Sequence, residues 1–196
     1  GLAVLVVLLL YIWFITLGPW RSRGHTSDYY SRQTSAFLHG QLALMQKPDP
    51  ALLALSNPYD HKARKNVPVL GDASLYHGKY YLYWGPLPSL LLALPASILP
   101  LNPGDQFFVY FFIIGLFLLQ SLFFREILRQ FFPDLPGWIL PLGILLLGLT
   151  GPYTKMLTHP FIHEAAIAGG QLLFTAGLYA AFLALRSESI HAGRLL

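Results

Sequence analysis

Four stretches of the chain, residues 2–20, 107–124, 135–150 and 165–185, stay apolar over lengths that outrun a strand or the core helix of a soluble domain. An α-helix rises about 1.5 Å per residue, so about 20 mostly apolar residues cross the roughly 30 Å hydrocarbon layer of a bilayer. Composition agrees: 55% of the residues are hydrophobic and only 11% are charged, against about 25% charged in an ordinary soluble domain. The chain reads as an all-α integral membrane protein. Its expected form is a polytopic helix bundle with about four spanning helices, a long extracytoplasmic first loop and one short re-entrant or interfacial helix.

The formal charge of +4 comes mainly from Lys and Arg outside those stretches, where it reports loops and lipid headgroups rather than nucleic acid. No base-reading motif is present. Cysteine is absent, which removes disulfides and thiolate metal sites and leaves an outer loop to hold by packing alone. The chain opens at Gly1 inside an apolar run and stops shortly after another, so it reads as an excerpt or processed form. A secretory signal fits the first run poorly: no basic segment precedes it, and no small-x-small cleavage site follows before Arg21.

Residues 1–20 form the expected first transmembrane helix, with Gly18, Pro19 and Trp20 at its exit and Trp where interfacial aromatics sit. Residues 21–105 form the loop, with turn chemistry at Asn57-Pro58, Val67-Pro68 and Gly71-Asp72. Within it, 28–39 predicts a helix that Ser27 or Asp28 caps and that Gly40 ends at positive φ. The apolar segment 87–99 is bracketed by Pro86, Pro88 and Pro100, with Pro95 inside. It reaches about 20 Å, short of the hydrocarbon thickness, and reads as re-entrant or interfacial. Residues 106–186 then hold three transmembrane helices, and 187–196 a cytoplasmic tail.

With 87–99 not crossing, the Arg125/Arg129 loop and the Arg186/Arg194 tail share one face, and the positive-inside rule makes that face cytoplasmic. The long loop and residues 151–163 share the other. Were 87–99 to cross, the Lys/Arg-rich long loop would become cytoplasmic; Arg21 and Arg23, close to the first span, pull in that direction. The expected location is a plasma membrane, the inner membrane of a bacterium, with the first loop outside.

Inside the four spans the notable polar groups are Gln120, Gln171 and Thr175, whereas pumps and ion-coupled transporters place ionisable groups there. The chemistry therefore belongs at the aqueous ends, around Asp28 and around residues 159–164. Each candidate also has a plain structural use. Asp28 suits a helix N-cap, and Glu164 suits the first turn of a helix through the macrodipole. His159 and His163 with Glu164 have metal-ligand chemistry, but Pro160 between them breaks a regular helical face. Lys79 among aromatics can snorkel to headgroups. Asp72 and His77 fit loop organisation, and Tyr80, Tyr81, Tyr83 and Trp84 an interfacial belt.

Three patches, in order, carry a family resemblance. Asp28-Tyr29-Tyr30 through Ala36-Phe37-Leu38-His39-Gly40-Gln41-Leu42 resembles the first-loop motif of the GT-C superfamily of membrane glycosyltransferases. Gly78-Lys79-Tyr80-Tyr81-Leu82-Tyr83-Trp84-Gly85-Pro86-Leu87-Pro88, followed by Leu90-Leu91-Leu92, resembles the aromatic, Pro-containing helix before their second span. Thr150-Gly151-Pro152 with Thr158-His159-Pro160 and Glu164 resembles their second external loop. The layout is similar to the N-terminal portion of the aminoarabinose transferase and protein O-mannosyltransferase type, whose members carry more spans and often paired acids where Asp28 stands between Ser27 and Tyr29.

The resemblance implies inverting transfer of a sugar from a polyprenyl-phosphate donor, a lipid-linked sugar, to an acceptor at the cell envelope. Asp28 would be the general base, with Glu164 the second catalytic carboxylate. Arg21, Arg23, Lys79, Tyr80, Tyr81 and His163 would bind the substrate and its departing phosphate. No cofactor is implied, with a divalent metal as the alternative to none. Membrane lipid and the donor are the expected partners. Two other classes fit the same composition. A lipid or solute transporter would show internal repeats or broken helices at a midplane site. A non-catalytic subunit would pack a partner on the small residues Ala165, Ala166, Ala168, Gly169 and Gly170.

Overall fold

The computed structural model describes residues 1–16, 27–99 and 101–193. Its elements run α1 Leu2–Ile15, α2 Tyr29–Leu38, α3 Pro50–Leu53, β1 Ala73–Tyr76, β2 Lys79–Leu82, α4 Leu87–Ala96, α5 Asp105–Phe131, α6 Ile139–Leu149, α7 Tyr153–Thr158 and α8 Ile162–Gly193. The chain is mostly helical, and the all-α expectation is amended by one antiparallel hairpin. Two units are distinguishable, His25–Gln106 and Gly1–Gly24 with Phe107–Leu196.

In the His25–Gln106 unit, the helix predicted over 28–39 is present as α2, but neither residue proposed to cap it does so. Asp28 occupies the N-cap position without a side-chain cap hydrogen bond. The cap comes from Asp105, which is 0% exposed. Its Oδ2 accepts from the Tyr29 backbone N–H at 3.0 Å and from the Ser27 hydroxyl at 2.6 Å, and its Oδ1 accepts from the Tyr30 N–H at 3.0 Å. These are two of the donors that a helix start leaves without intrahelical partners. The clasp is reciprocal, since the Asp105 N–H donates to the Ser27 carbonyl at 2.8 Å, and the Ser31 hydroxyl donates to the Pro103 carbonyl at 2.6 Å. At its other end α2 closes as the sequence predicts. Gly40 has φ +72°, and the Gly40 and Gln41 N–H groups return to Phe37 and Ala36 carbonyls at 2.9 and 3.0 Å, a Schellman closure.

The rest of this unit is pinned to α2 or to the hairpin. Ser89 of α4 is fully buried and donates to the Tyr30 carbonyl and Gln33 Oε1, while the Thr34 hydroxyl reaches the Ser89 carbonyl. This polar seam holds one side of α4. Its other residues Leu90, Leu91 and Leu94 stay exposed. β1 and β2 pair through Ser74–Tyr81 and Leu75–Tyr80 across a two-residue turn. Both turn residues, His77 and Gly78, have positive φ, the conformation that matches a two-residue turn to strand twist. Tyr80 leaves its strand for a small core with Leu44 and Leu52. Each such buried side chain contributes roughly 1.5 to 3 kcal/mol.

The other unit is helical. α5 and α8 are long and apolar enough to cross a membrane, with mean hydropathies of 2.3 and 1.5 over their most apolar windows. The core helix of a soluble protein would be mostly buried, but only 39% and 11% of those windows are. α1, α4 and α6 are shorter apolar helices, of 14, 10 and 11 residues, so two helices rather than four have spanning length among the described residues. The exit at Gly18, Pro19 and Trp20 lies outside them. Rather than ending at 186, α8 continues to Gly193, where the sequence reading set a separate tail.

Small residues let these helices approach. A Cβ on Gly148 would lie 2.5 Å from Val7 Cγ1, and one on Gly169 3.1 Å from Phe112 Cε2. Ala165 and Ala168 are also buried, so much of the small-residue stripe serves packing within the unit. Two tyrosines spend their hydroxyls internally: Tyr11 donates to the Gly148 carbonyl at 2.9 Å, and Tyr153 to Gln120 Oε1 at 3.0 Å. α5 and α8 run in the same direction, because Gly115 meets Leu172, Phe123 meets Tyr179 and Phe182, and Glu126 meets Arg186.

Removing the Asp105 cap should cost the loop unit more than removing the Asp28 carboxylate. We expect Asp105→Ala to destabilise it by about 2 to 3 kcal/mol, since hydrogen bonds to a charged acceptor are worth about 1.5 to 3 kcal/mol, and Asp28→Ala by less than about 1 kcal/mol. Hydrogen exchange at the Tyr29 and Tyr30 amides of the detergent-solubilised chain separates the two. Faster exchange in the Asp28 variant alone would return the cap to Asp28. Gly148→Ala should cost about 1 to 3 kcal/mol through the clash with Val7, read as a lower denaturation midpoint.

Candidate functional site

Relieved of capping, the Asp28 carboxylate points elsewhere. Its Oδ1 accepts from Arg32 Nε at 2.7 Å, one helical turn along α2, and the side chain remains 32% exposed. Arg32 also donates through Nη1 to Gln46 Oε1. The unit thus presents a carboxylate and a guanidinium side by side at the start of a buried-faced helix. The sequence reading did not select Arg32, although its spacing of four from Asp28 on a predicted helix is the signal for such a pair.

Next to Asp28, Tyr29 extends the site toward the hairpin. Its hydroxyl accepts from the Asp72 N–H at 3.4 Å, and Asp72 Oδ1 accepts from the Tyr83 hydroxyl at 3.3 Å. Partial desolvation, then the neighbouring Asp72 carboxylate, raises the Tyr83 hydroxyl above the ordinary phenol range. Tyr30 points inward instead, and burial, with Asp105 adding to it, pushes its hydroxyl far up. Neither phenol becomes a base at neutral pH. Asp72 and His77 therefore organise the loop and its turn.

The other candidates are placed as follows. Lys79 is exposed at the start of β2. Tyr80 is 2% exposed, in the small core, so its ring is structural. Tyr81 pairs with Ser74 and sets its ring edge against Tyr76, 6.2 Å away. Arg21 and Arg23 lie outside the described residues.

In the helical unit, Glu164 is committed to local structure. Its Oε2 accepts from the Phe161 N–H at 3.2 Å, three residues back, where a helix-start glutamate closes a capping box. Its Oε1 lies 2.9 Å from His163 Nε2, and the side chain is 12% exposed. The His163 ring stacks on Phe161. His159 faces the Thr158 hydroxyl through Nδ1 at 3.0 Å. Among the described residues no three His, Asp, Glu or Cys side chains gather as a metal-binding group.

A feature that the sequence reading passed over lies on the hairpin side of the loop unit. A cavity of about 620 Å³ is lined by the apolar Leu52, Leu75 and Tyr80 and by the basic His61, Arg64 and Lys65. Its wall includes Gly71 and Ala73, the neighbours of the Asp72 that Tyr29 holds. Comparison of the chain with protein-family models, curated proteins and solved structures yields no match.

Glu164 and His163 make their structural role measurable. We expect Glu164→Ala to weaken the first turn of α8 by about 1 kcal/mol, seen as faster exchange of the Phe161 amide. Unchanged exchange would free Glu164 for another duty.

Proposed function

We propose that the chain is the catalytic N-terminal portion of a membrane glycosyltransferase that moves a sugar from a polyprenyl-phosphate donor to an acceptor hydroxyl outside the membrane. One observation carries this reading. A carboxylate at a helix start is ordinarily spent on that helix, but here Asp105 supplies the cap and leaves Asp28 partly exposed and paired sideways with Arg32. The resemblance of residues 28–42, 78–92 and 150–164 to the GT-C superfamily points to the same aspartate.

In the proposed reaction Asp28 takes the proton of the acceptor hydroxyl as its oxygen bonds to the anomeric carbon, and the bond from that carbon to the donor phosphate breaks with inversion. A positioned base contributes roughly 10²- to 10⁴-fold. Arg32 orients the carboxylate in the resting site, and with Lys79 it supplies positive charge toward a departing phosphate. Arg21, Arg23 and the hydroxyl of Tyr81 remain proposed donors to that phosphate. Glu164 and His163 act as a pair, their proposed catalytic share being smaller because the carboxylate already holds the start of α8.

The proposed membrane arrangement has four crossings. Because α5 and α8 run in the same direction, two crossings by them require the chain between to return, and α6 is its apolar helix. Alone α6 reaches about 16 Å, so residues 135–138 and local thinning of the bilayer complete the return. Arg125, Arg129 and Arg186 gather around Glu126 at what we take as the cytoplasmic end. α4, with its exposed leucines, lies in the interface. A bacterial inner membrane suits a polyprenyl-phosphate donor.

Radiolabelled sugar transfer in membranes tests the chemistry. Asp28→Asn should lower turnover by about 10² to 10⁴ with the protein still folded, and wild-type turnover in that variant would remove Asp28 as the base. Sidedness is read separately, by labelling single cysteines at Ser56 and Asp134 from outside intact cells. Ser56→Cys should react and Asp134→Cys should not; the opposite pattern would invert the arrangement.

A further inference from the structure

The cavity beside the hairpin combines an apolar surface with a basic one. Its floor is apolar, built from Leu52, Leu75 and Tyr80, and its rim carries His61, Arg64 and Lys65. The rim's charge is not neutralised by the protein: among the described residues no carboxylate lies at ion-pair distance from Arg64 or Lys65. The nearest acid in sequence, Asp60, turns its Oδ1 to the Lys62 backbone N–H at 2.8 Å. The rim is also held in place. The Arg64 N–H donates to the Asp60 carbonyl at 3.1 Å, the Arg64 guanidinium sits 3.0 Å from His61 Nδ1, and the Tyr59 hydroxyl donates to the Leu75 carbonyl at 2.9 Å, tying the basic turn to the hairpin.

Excess cations held over an apolar floor attract a molecule with the complementary halves. We infer that this cavity binds an amphipathic anion, seating a phosphate ester between Arg64 and Lys65 and its hydrocarbon on Leu52, Leu75 and Tyr80. About 620 Å³ is within the range of small-molecule sites, roughly 300 to 1,000 Å³. Arg supplies paired donors to phosphate and Lys a mobile charge. The site needs no transfer reaction at Asp28 and stands apart from it. Both a lipid headgroup with part of its acyl chains and a soluble phosphate monoester have this chemistry.

The test uses the whole chain in neutral phosphatidylcholine nanodiscs, titrated calorimetrically with hexyl phosphate and with each half alone, inorganic phosphate and hexyl glucoside. Hexyl phosphate should bind saturably and at least tenfold more tightly than either half. Arg64→Ala with Lys65→Ala should weaken it at least tenfold, while Lys62→Ala, outside the lining, leaves it unchanged. A second measurement needs no variant: added salt should weaken hexyl phosphate binding, because exposed charges are screened. Absence of saturable binding, equal affinity for either half, an equal loss in Lys62→Ala, or affinity indifferent to salt would each overturn the site. Dihexanoylphosphatidylglycerol binding more tightly than hexyl phosphate identifies a lipid headgroup as the source, and weaker binding identifies a soluble phosphate ester; either result sustains the anion site.

Discussion

The buried carboxylate of Asp105 is the interaction from which the order of the loop unit follows. It joins residues 78 positions apart in sequence, a closure whose length-dependent entropy alone is about 4 kcal/mol. No disulfide contributes, because the chain has no cysteine. What offsets the closure is a set of charge-assisted hydrogen bonds to groups that would otherwise be orphaned at the start of α2, reinforced by the backbone return from Asp105 to Ser27 and by Ser31 on Pro103. A buried carboxylate needs hydrogen-bond donors, and here both oxygens have at least one. The same carboxylate therefore closes the loop and starts its first helix.

That economy has a chemical consequence. Where the helix cap is supplied by a distant residue, the local acid is no longer obliged to face the backbone. Asp28 turns along α2 to Arg32, a pair exposed enough that its Coulombic contribution to stability is small. A weak, solvent-touching ion pair is easily exchanged for water or another partner. Glu164 shows the contrary case. It spends one oxygen on the Phe161 amide and the other on His163.

Why one acid was legible and the other hidden comes down to the range of the forces involved. Local rules located α2 within a residue at each end, because Gly40 and the turn residues act through their own φ angles. They also marked 87–99 as too short to cross, since proline spacing is a property of the sequence itself. They assigned the cap to Ser27 or Asp28 for the same reason: in a single chain only neighbours are visible. Asp105 is the sole acid between Asp72 and Glu126, a hint of special use, yet its partner can be known only once the chain has closed. The hairpin was missed on similar grounds. The alternation of residues 73–82 is weak, and the aromatic run over 80–84 reads equally as an interfacial belt until Tyr80 is seen in the core.

Hydropathy had a different blind spot. It ranks segments by what they would bury in lipid, and so it counts residues 135–150, although shorter, as a span beside 165–185. The structure separates them by length and by company. α6 is short and gives its Gly148 face to Val7 and its carbonyl to Tyr11; α8 is long and leaves most of its apolar surface uncovered. Direction adds what hydropathy omits. Two parallel helices joined at one end by Glu126 and its arginines force any intervening chain to travel back along them, so the short helix inherits a topological duty its composition alone would not assign. A carboxylate among three guanidinium groups also shows how an excess of positive charge, which the positive-inside rule merely counts, is kept compatible with close helix packing.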